Sequence, residues 1–188
     1  VQIGNKIGTV GLPLPGTQFK IVDPETMQDL ETGVDGLILI GGTQIMNGYH
    51  KDADKTKSVL HNDEFGKWYN TGDKGHIDAD GFLTIVGRYS RFAKIGGEMI
   101  SLGAVETKLS EAWNSEAEFA CTAIPSVKKG EELVLITEGT EEEAKLACKE
   151  LPALMRPNII LAGTTIPKLG TGKTDFKNLK ALALEHNQ

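Results

Sequence analysis

The feature that most constrains this chain is a change of hydrophobic period near Arg88. Before it the apolar residues come in short runs suited to strands. Gln18 to Val22 alternates with period two, and Gly36 to Gly42 is a brief apolar run closed by glycines. His76-Ile77 and Phe82 to Val86 flank Asp78-Ala79-Asp80-Gly81, the pattern of a β-hairpin around an Asp/Gly turn. Gly8, Gly11, Pro13, Pro15 and Gly16 punctuate the start, and only Asp52 to Leu60 has the makings of a short helix. Beyond Arg88 the spacing lengthens. Leu102, Val105, Leu109 and Trp113 recur at three- and four-residue steps, which predicts an amphipathic helix from about Ser101 to Trp113.

The rest of the second part alternates between the two periods. Glu118 to Ile124, Leu133 to Thr137 and Asn158 to Ile166 read as strands, with Lys128-Lys129-Gly130 as the turn between the first two. Thr140 before Glu141-Glu142-Glu143 predicts a capped helix ended by Pro152. Thr174 predicts the cap of a last helix facing inward with Phe176, Leu179, Leu182 and Ala183. The expected fold is α+β: a β-rich piece over 1–87, then a small α/β domain over 88–188.

Charge and composition exclude several function classes. The net charge of −6 argues against nucleic-acid binding, which needs clustered cations to neutralise phosphates. No apolar run reaches the length of a membrane helix, and Val1 to Lys6 lacks the basic start and apolar stretch of a signal peptide. Cys121 and Cys148 lie in apolar, structured contexts and are expected as reduced core thiols, fitting a cytoplasmic setting. The charge is uneven. From Leu151 onward Arg156, Lys168, Lys173, Lys177 and Lys180 face only Asp175 and Glu185, so an anionic ligand is expected near that basic tail.

Three ordered motifs carry the chemistry: Tyr69-Asn70-Thr71-Gly72-Asp73; Gly87-Arg88 followed by Lys94-Ile95-Gly96-Gly97; and Pro167 to Lys173. Their order and spacing resemble the late motifs of the adenylate-forming superfamily of acyl-CoA synthetases, luciferases and peptide-synthetase adenylation domains. Gly36 to Tyr49 resembles the segment that precedes them, so the likeness runs over nearly the whole chain. Within that superfamily, Gly87 to Leu102 is similar to the acyl-[acyl carrier protein] synthetase half of bacterial enzymes fused to 2-acylglycerophosphoethanolamine acyltransferase.

The resemblance implies roles that must be weighed against plainer ones. Asp73 is either a turn residue or the carboxylate that accepts both ribose hydroxyls of ATP, and Arg88 either a solvated charge or a donor to the same ribose. Ile85 reads as core, and the resemblance adds a contact with adenine. Lys94, Gly96 and Gly97 are either a basic loop leading into the helix at Ser101 or the thiol-acceptor side of the site. Ser90, where the superfamily has Asp or Lys, is the implied hinge of a mobile carboxy-terminal lid. Lys173 is either a surface lysine or the catalytic cation that meets the acyl carboxylate and the α-phosphate.

Two features bear on the acceptor and on completeness. Gly97-Glu98-Met99 replaces the superfamily's Gly-x-Arg, which suits an acyl carrier protein at least as well as free CoA. The superfamily's Ser/Thr/Gly-rich phosphate loop does not occur here. The chain is therefore expected to be part of a longer enzyme that uses ATP with Mg²⁺ held by other segments, binds no metal itself and does not turn over ATP alone. The expected function is transfer of a fatty acid through acyl-AMP to the phosphopantetheine thiol of an acyl carrier protein for lysophospholipid re-acylation, in a parent at the bacterial inner membrane. An acyl-CoA synthetase and a non-catalytic carrier-protein-binding module are the alternatives.

Overall fold

A computed structural model describes residues 4–186. Val1 to Ile3, the start of the segment read for a signal peptide, lie outside the described residues. The chain divides into two compact units, Val1–Ser90 and Arg91–Gln188, and it is sheet-rich α+β as the hydrophobic periods predict.

The first unit is one five-stranded antiparallel sheet. Its strands are β1 (Thr17–Val22), β2 (Gly36–Gly42), β3 (Leu60–Asp63), β4 (Gly66–Ile77) and β5 (Leu83–Arg88). The order β1-β2-β4-β3 places the twelve-residue β4 beside β2, while β3 and β5 pair with the two ends of β4. Side chains alternate across the sheet, so Val22, Leu37, Leu39 and Trp68 pack on one face and Ile21, Ile38 and Leu83 on the other. Helix α1 (Ala53–Val59) is capped by Asp52, whose side chain accepts from the Lys55 amide.

β4 bends at a bulge between Lys74 and Gly75. A Cβ at Gly75 would sit 2.1 Å from the Thr84 carbonyl oxygen and 2.8 Å from Ile38 Cδ1, so only glycine lets β5 approach this closely.

The second unit is a sheet covered on both faces. It contains β6 (Phe92–Ile95), β7 (Glu98–Ser101), β8 (Phe119–Ser126), β9 (Gly130–Thr137) and β10 (Ile159–Leu161), with β10 parallel to β9. Helices α2 (Leu102–Ala112) and α3 (Glu141–Lys149) close one face over Cys121, Ala123, Leu133 and Leu135. Helix α4 (Phe176–His186) closes the other, packing Leu179 and Ala183 on Ala120, Ile124, Val134 and Ile136. Thr140 caps α3 in a full capping box with Glu143. Cys121 and Cys148 are buried free thiols, and burial pushes both upward in pKa.

Several expectations are corrected. The Asn158–Ile166 strand shrinks to Ile159–Leu161, because Gly163 turns the chain and the Gly163 and Thr164 amides bond to Gly139 and Thr137 carbonyls instead of a ladder. Asp175, not Thr174, caps α4: its carboxylate accepts from the Lys177 and Asn178 amides, while Thr174 is held in a bridge to Lys168. Phe176 is 41% exposed rather than inward. Lys94 to Gly97 is not a loop but half of a β6–β7 hairpin, whose two-residue turn uses the positive φ of Gly96 and Gly97. Ile85 is not core; it is 47% exposed.

Candidate functional site

In the first unit the β4–β5 register sets Asp73 opposite Arg88, and Arg88 Nε lies 3.0 Å from Asp73 Oδ1. The approach to Asp73 is fixed by side-chain-to-backbone bonds. Asn70 Oδ1 accepts from the Gly72 amide, and Thr71 Oγ1 accepts from the Asp73 amide while donating to the Ile38 carbonyl. Thr71 thereby ties the motif to β2, which explains why a hydroxyl serves there.

The pair is half open. The Asp73 side chain is 19% exposed and that of Arg88 67%. Asp73 Oδ2 and the terminal nitrogens of Arg88 have no ion-pair or hydrogen-bond partner among the described residues. A carboxylate oxygen free to accept, next to a guanidinium with spare N–H groups, matches the donor-and-acceptor needs of vicinal hydroxyls. On the same β5 strand Ile85 and Val86 leave apolar surface exposed, as a contact for a planar base requires.

Two residues that the motif reading left without a role join this cluster. Tyr69 opens the Tyr-x-Thr-Gly-Asp motif and shares a side-chain hydrogen bond with Tyr49, which raises the Tyr69 phenol above its usual range; burial and the Asp73 charge add to the rise and Arg88 opposes it. Lys55 lies over the Tyr49 ring at 4.3 Å. Tyr49 ends the Gly36–Tyr49 segment, so both tyrosines stood at motif edges in the sequence.

The second unit carries the other expected residues. Lys173 is exposed on a tight loop closed by Leu169 N–H to Lys173 C=O (2.8 Å) and Gly172 N–H to Leu169 C=O (2.8 Å). The Lys168–Thr174 bridge ties the loop's two ends together, and Lys168 pairs with Glu118 at 2.6 Å. Gly172 has φ 82 and Gly170 does not share that conformation. Lys94 is exposed on β6, and its amide donates to Glu131 Oε2 at 2.7 Å. Ser90, exposed in the 3₁₀ turn Tyr89–Arg91, is the last residue of the first unit.

Arg91, which follows it, anchors the second unit. It bonds the Cys121 carbonyl (2.8 Å) and Glu106 (2.5 Å), and stacks 3.8 Å from the Phe176 ring, while Glu106 takes the Cys121 amide. The basic tail is less free than its composition implies, since Arg156 donates to the Leu151 and Lys149 carbonyls. Among the described residues no group of three or more His, Cys, Asp or Glu could hold a metal ion, and no helix is long and apolar enough to cross a membrane.

Comparison with known proteins bears on the family and the fold. Residues 2–50 match the sequence model of the AMP-binding enzyme family. The chain is 31% identical over 195 residues to nonribosomal peptide synthetase 7 of Aspergillus fumigatus, covering 94% of this chain and 8% of that protein. Over 73 residues it is 51% identical to the chloroplastic long-chain-fatty-acid–[acyl-carrier-protein] ligase of Arabidopsis thaliana, covering 39% of this chain and 10% of the ligase. Its fold matches o-succinylbenzoate CoA synthetase (MenE) of Bacillus subtilis, solved with the acyl-adenylate intermediate OSB-AMP, at a TM-score of 0.72 and 27% identity over 93% of this chain and 36% of that one. The chain thus spans well under half the length of these relatives, and it is a homologue, over that part of their length, of the adenylate-forming ligases that include the AMP-binding enzymes.

Proposed function

We propose that the chain is part of an ATP-dependent fatty acyl ligase that makes acyl-AMP and passes the acyl group to the phosphopantetheine thiol of an acyl carrier protein, in the service of lysophospholipid re-acylation. The observation that carries the ATP reading is the Asp73–Arg88 pair, fixed across β4–β5 with one carboxylate oxygen and two guanidinium nitrogens unengaged. Asp73 accepts from the ribose hydroxyls, Arg88 donates to the same sugar, and the exposed Ile85 lies along the adenine. The fatty acid carboxylate attacks the α-phosphorus, the bond to pyrophosphate breaks, and Lys173 offsets the negative charge gathered there. The thiol then attacks the acyl carbon and AMP leaves with the bonding pair. Rotation about Ser90 withdraws Lys173 and presents the Lys94–Gly97 hairpin turn for this second step. Mg²⁺ accompanies the nucleotide phosphates, and no described residue is assigned to it.

The acceptor is read from the Arabidopsis carrier-protein ligase, whose 51% identity is the highest among the relatives compared above. MenE, a CoA synthetase, supports CoA as the second reading. The test supplies the full-length protein with ATP, radiolabelled palmitate and either holo acyl carrier protein or CoA. Faster label transfer to the carrier protein is expected, and added 2-acylglycerophosphoethanolamine should then collect the acyl group. Preference for CoA selects the second reading, and no ATP-dependent thioester with either acceptor refutes both.

A further inference from the structure

The second unit brings together two lysine-bearing turns that are far apart in sequence. The β6–β7 turn holds Gly96 and Gly97, with Lys94 just before it; the β8–β9 turn holds Lys128, Lys129 and Gly130. Three contacts lock the turns side by side: the Ile95–Gly130 ladder pair, the Gly96 amide on the Lys129 carbonyl at 2.9 Å, and the Lys94 amide on Glu131 Oε2 at 2.7 Å. The six residues from these turns line an open recess of about 610 Å³, joined by Glu131. Met99 lies across the ladder from Lys94 and Val127 stands at the tip of the second turn, both solvent-exposed.

Charge is what distinguishes this place. The chain as a whole carries −6, yet the ammonium groups of Lys94, Lys128 and Lys129 have no ion-pair partner among the described residues. Lys168 is engaged by Glu118 and Arg91 by Glu106, whereas these three lysines are gathered on adjoining turns with their charges uncompensated by an ion pair. Of the carboxylates beside the recess, Glu131 accepts the Lys94 amide and Glu98 is exposed at the turn. Three unpaired cations on two mutually fixed turns therefore form a patch opposite in sign to the molecule around it.

We propose that this twin-turn patch, with Lys128 and Lys129 as its added half, is the docking surface for the acidic side of an acyl carrier protein. The proposal rests on the acceptor reading above and deepens it. Two features favour a broad carboxylate-bearing surface over a single phosphate. The Gly96 and Lys94 amides, which would otherwise form a cradle, already bond Lys129 and Glu131. The recess is open, and exposed Val127 and Met99 offer apolar contact at its border. Complementary charge of this kind sets encounter rate and orientation, so binding here is expected to weaken with salt.

The experiment titrates the 188-residue chain with purified holo and apo acyl carrier protein, and separately with CoA, at two ionic strengths. Exposed pairs are worth between about 1.4-fold and 5-fold each, so Lys128→Glu with Lys129→Glu should weaken carrier-protein binding on the order of 10-fold, for holo and apo forms alike. Lys177→Glu with Lys180→Glu, in α4, should change it less than 2-fold. The circular dichroism melt of each variant checks that the fold is kept; if the double glutamate variant does not fold, Lys128→Gln with Lys129→Gln replaces it, with about a 3-fold loss expected. No binding by the unmodified chain, an equal loss from the α4 variant, or a loss confined to CoA would each overturn the proposal. A carrier protein that binds here but is never acylated by the full-length enzyme refutes the acceptor reading and leaves the docking surface standing. Acylation indifferent to Lys128 and Lys129 does the reverse.

Discussion

If Asp73 holds the ribose, its loss should be read by the nucleotide and barely felt by the fold. The structural side is small because Arg88 is 67% exposed, and exposed ion pairs contribute only about 0.2–1 kcal/mol. In a unit of this size that is a shift of no more than about 8 °C in melting temperature. The ligand side is larger, since a hydrogen bond to a charged acceptor is worth about 1.5–3 kcal/mol, or roughly 10- to 150-fold per ribose hydroxyl. The assay uses the full-length enzyme with ATP and with 2′-deoxy-ATP. The unmodified enzyme should discriminate against the deoxy substrate within that range in kcat/KM. Asp73→Ala should lower kcat/KM for ATP by a similar factor and remove most of the discrimination, because the hydroxyl no longer has a charged partner. Arg88→Ala should reduce it in part. If Asp73→Ala keeps the full penalty against 2′-deoxy-ATP, the carboxylate does not touch the ribose and serves only its pairing with Arg88 across β4–β5.

Lys173→Ala should slow acyl-AMP formation by about 10²–10³ and leave thioester formation from preformed acyl-AMP nearly unchanged; equal losses in both half-reactions would end the two-state assignment. Gly75→Ala should cost about 1–3 kcal/mol in denaturant unfolding, because its Cβ would lie 2.1 Å from a backbone oxygen that cannot yield without parting β4 from β5; a change under about 0.5 kcal/mol would contradict that packing. Asp63 is held at about 2 by hydrogen bonds from Lys20 and Trp68. A carboxyl depressed on folding adds stability above its unfolded pKa of about 4 and loses it as pH falls through the folded value. The stability of the unmodified chain should therefore drop between about pH 4 and pH 2 more steeply than that of Asp63→Asn, and parallel pH profiles would rule the contribution out.

Much of the second unit was legible because its periods are unmixed. Leu102, Val105 and Leu109 are all buried on α2, and Thr140 caps α3 as its run of glutamates predicts. The first unit was harder. β4 runs through the polar Asn70-Thr71-Gly72-Asp73, so of this twelve-residue strand the periodicity showed only its end, His76-Ile77. Composition also misjudged Ile85, since an apolar residue in a strand reads as core whether or not anything covers it. The Asp73–Arg88 contact depends on a register across the Gly75 bulge, and no periodicity encodes a one-residue shift. The pairing of the two lysine turns was invisible for a similar reason: it depends on backbone contacts such as the ladder pair of Ile95 with Gly130, 35 residues apart.

The order in which the second unit leaves the ribosome gives α4 a particular importance. Ala120, Ile124, Val134 and Ile136 are made long before Leu179 and Ala183, the residues that cover them. Until α4 has emerged, one side of the β8–β9 hairpin faces water, a sticky nascent surface of the kind chaperones occupy. The Lys173 loop lies immediately upstream of that closing helix. A ribosome that stops early, or a protease that cuts after Lys173, would release a lysine loop no longer backed by α4 together with an uncovered sheet. Such products should be cleared or aggregate, so α4 acts as a seal on the second unit that keeps Lys173 in its seat.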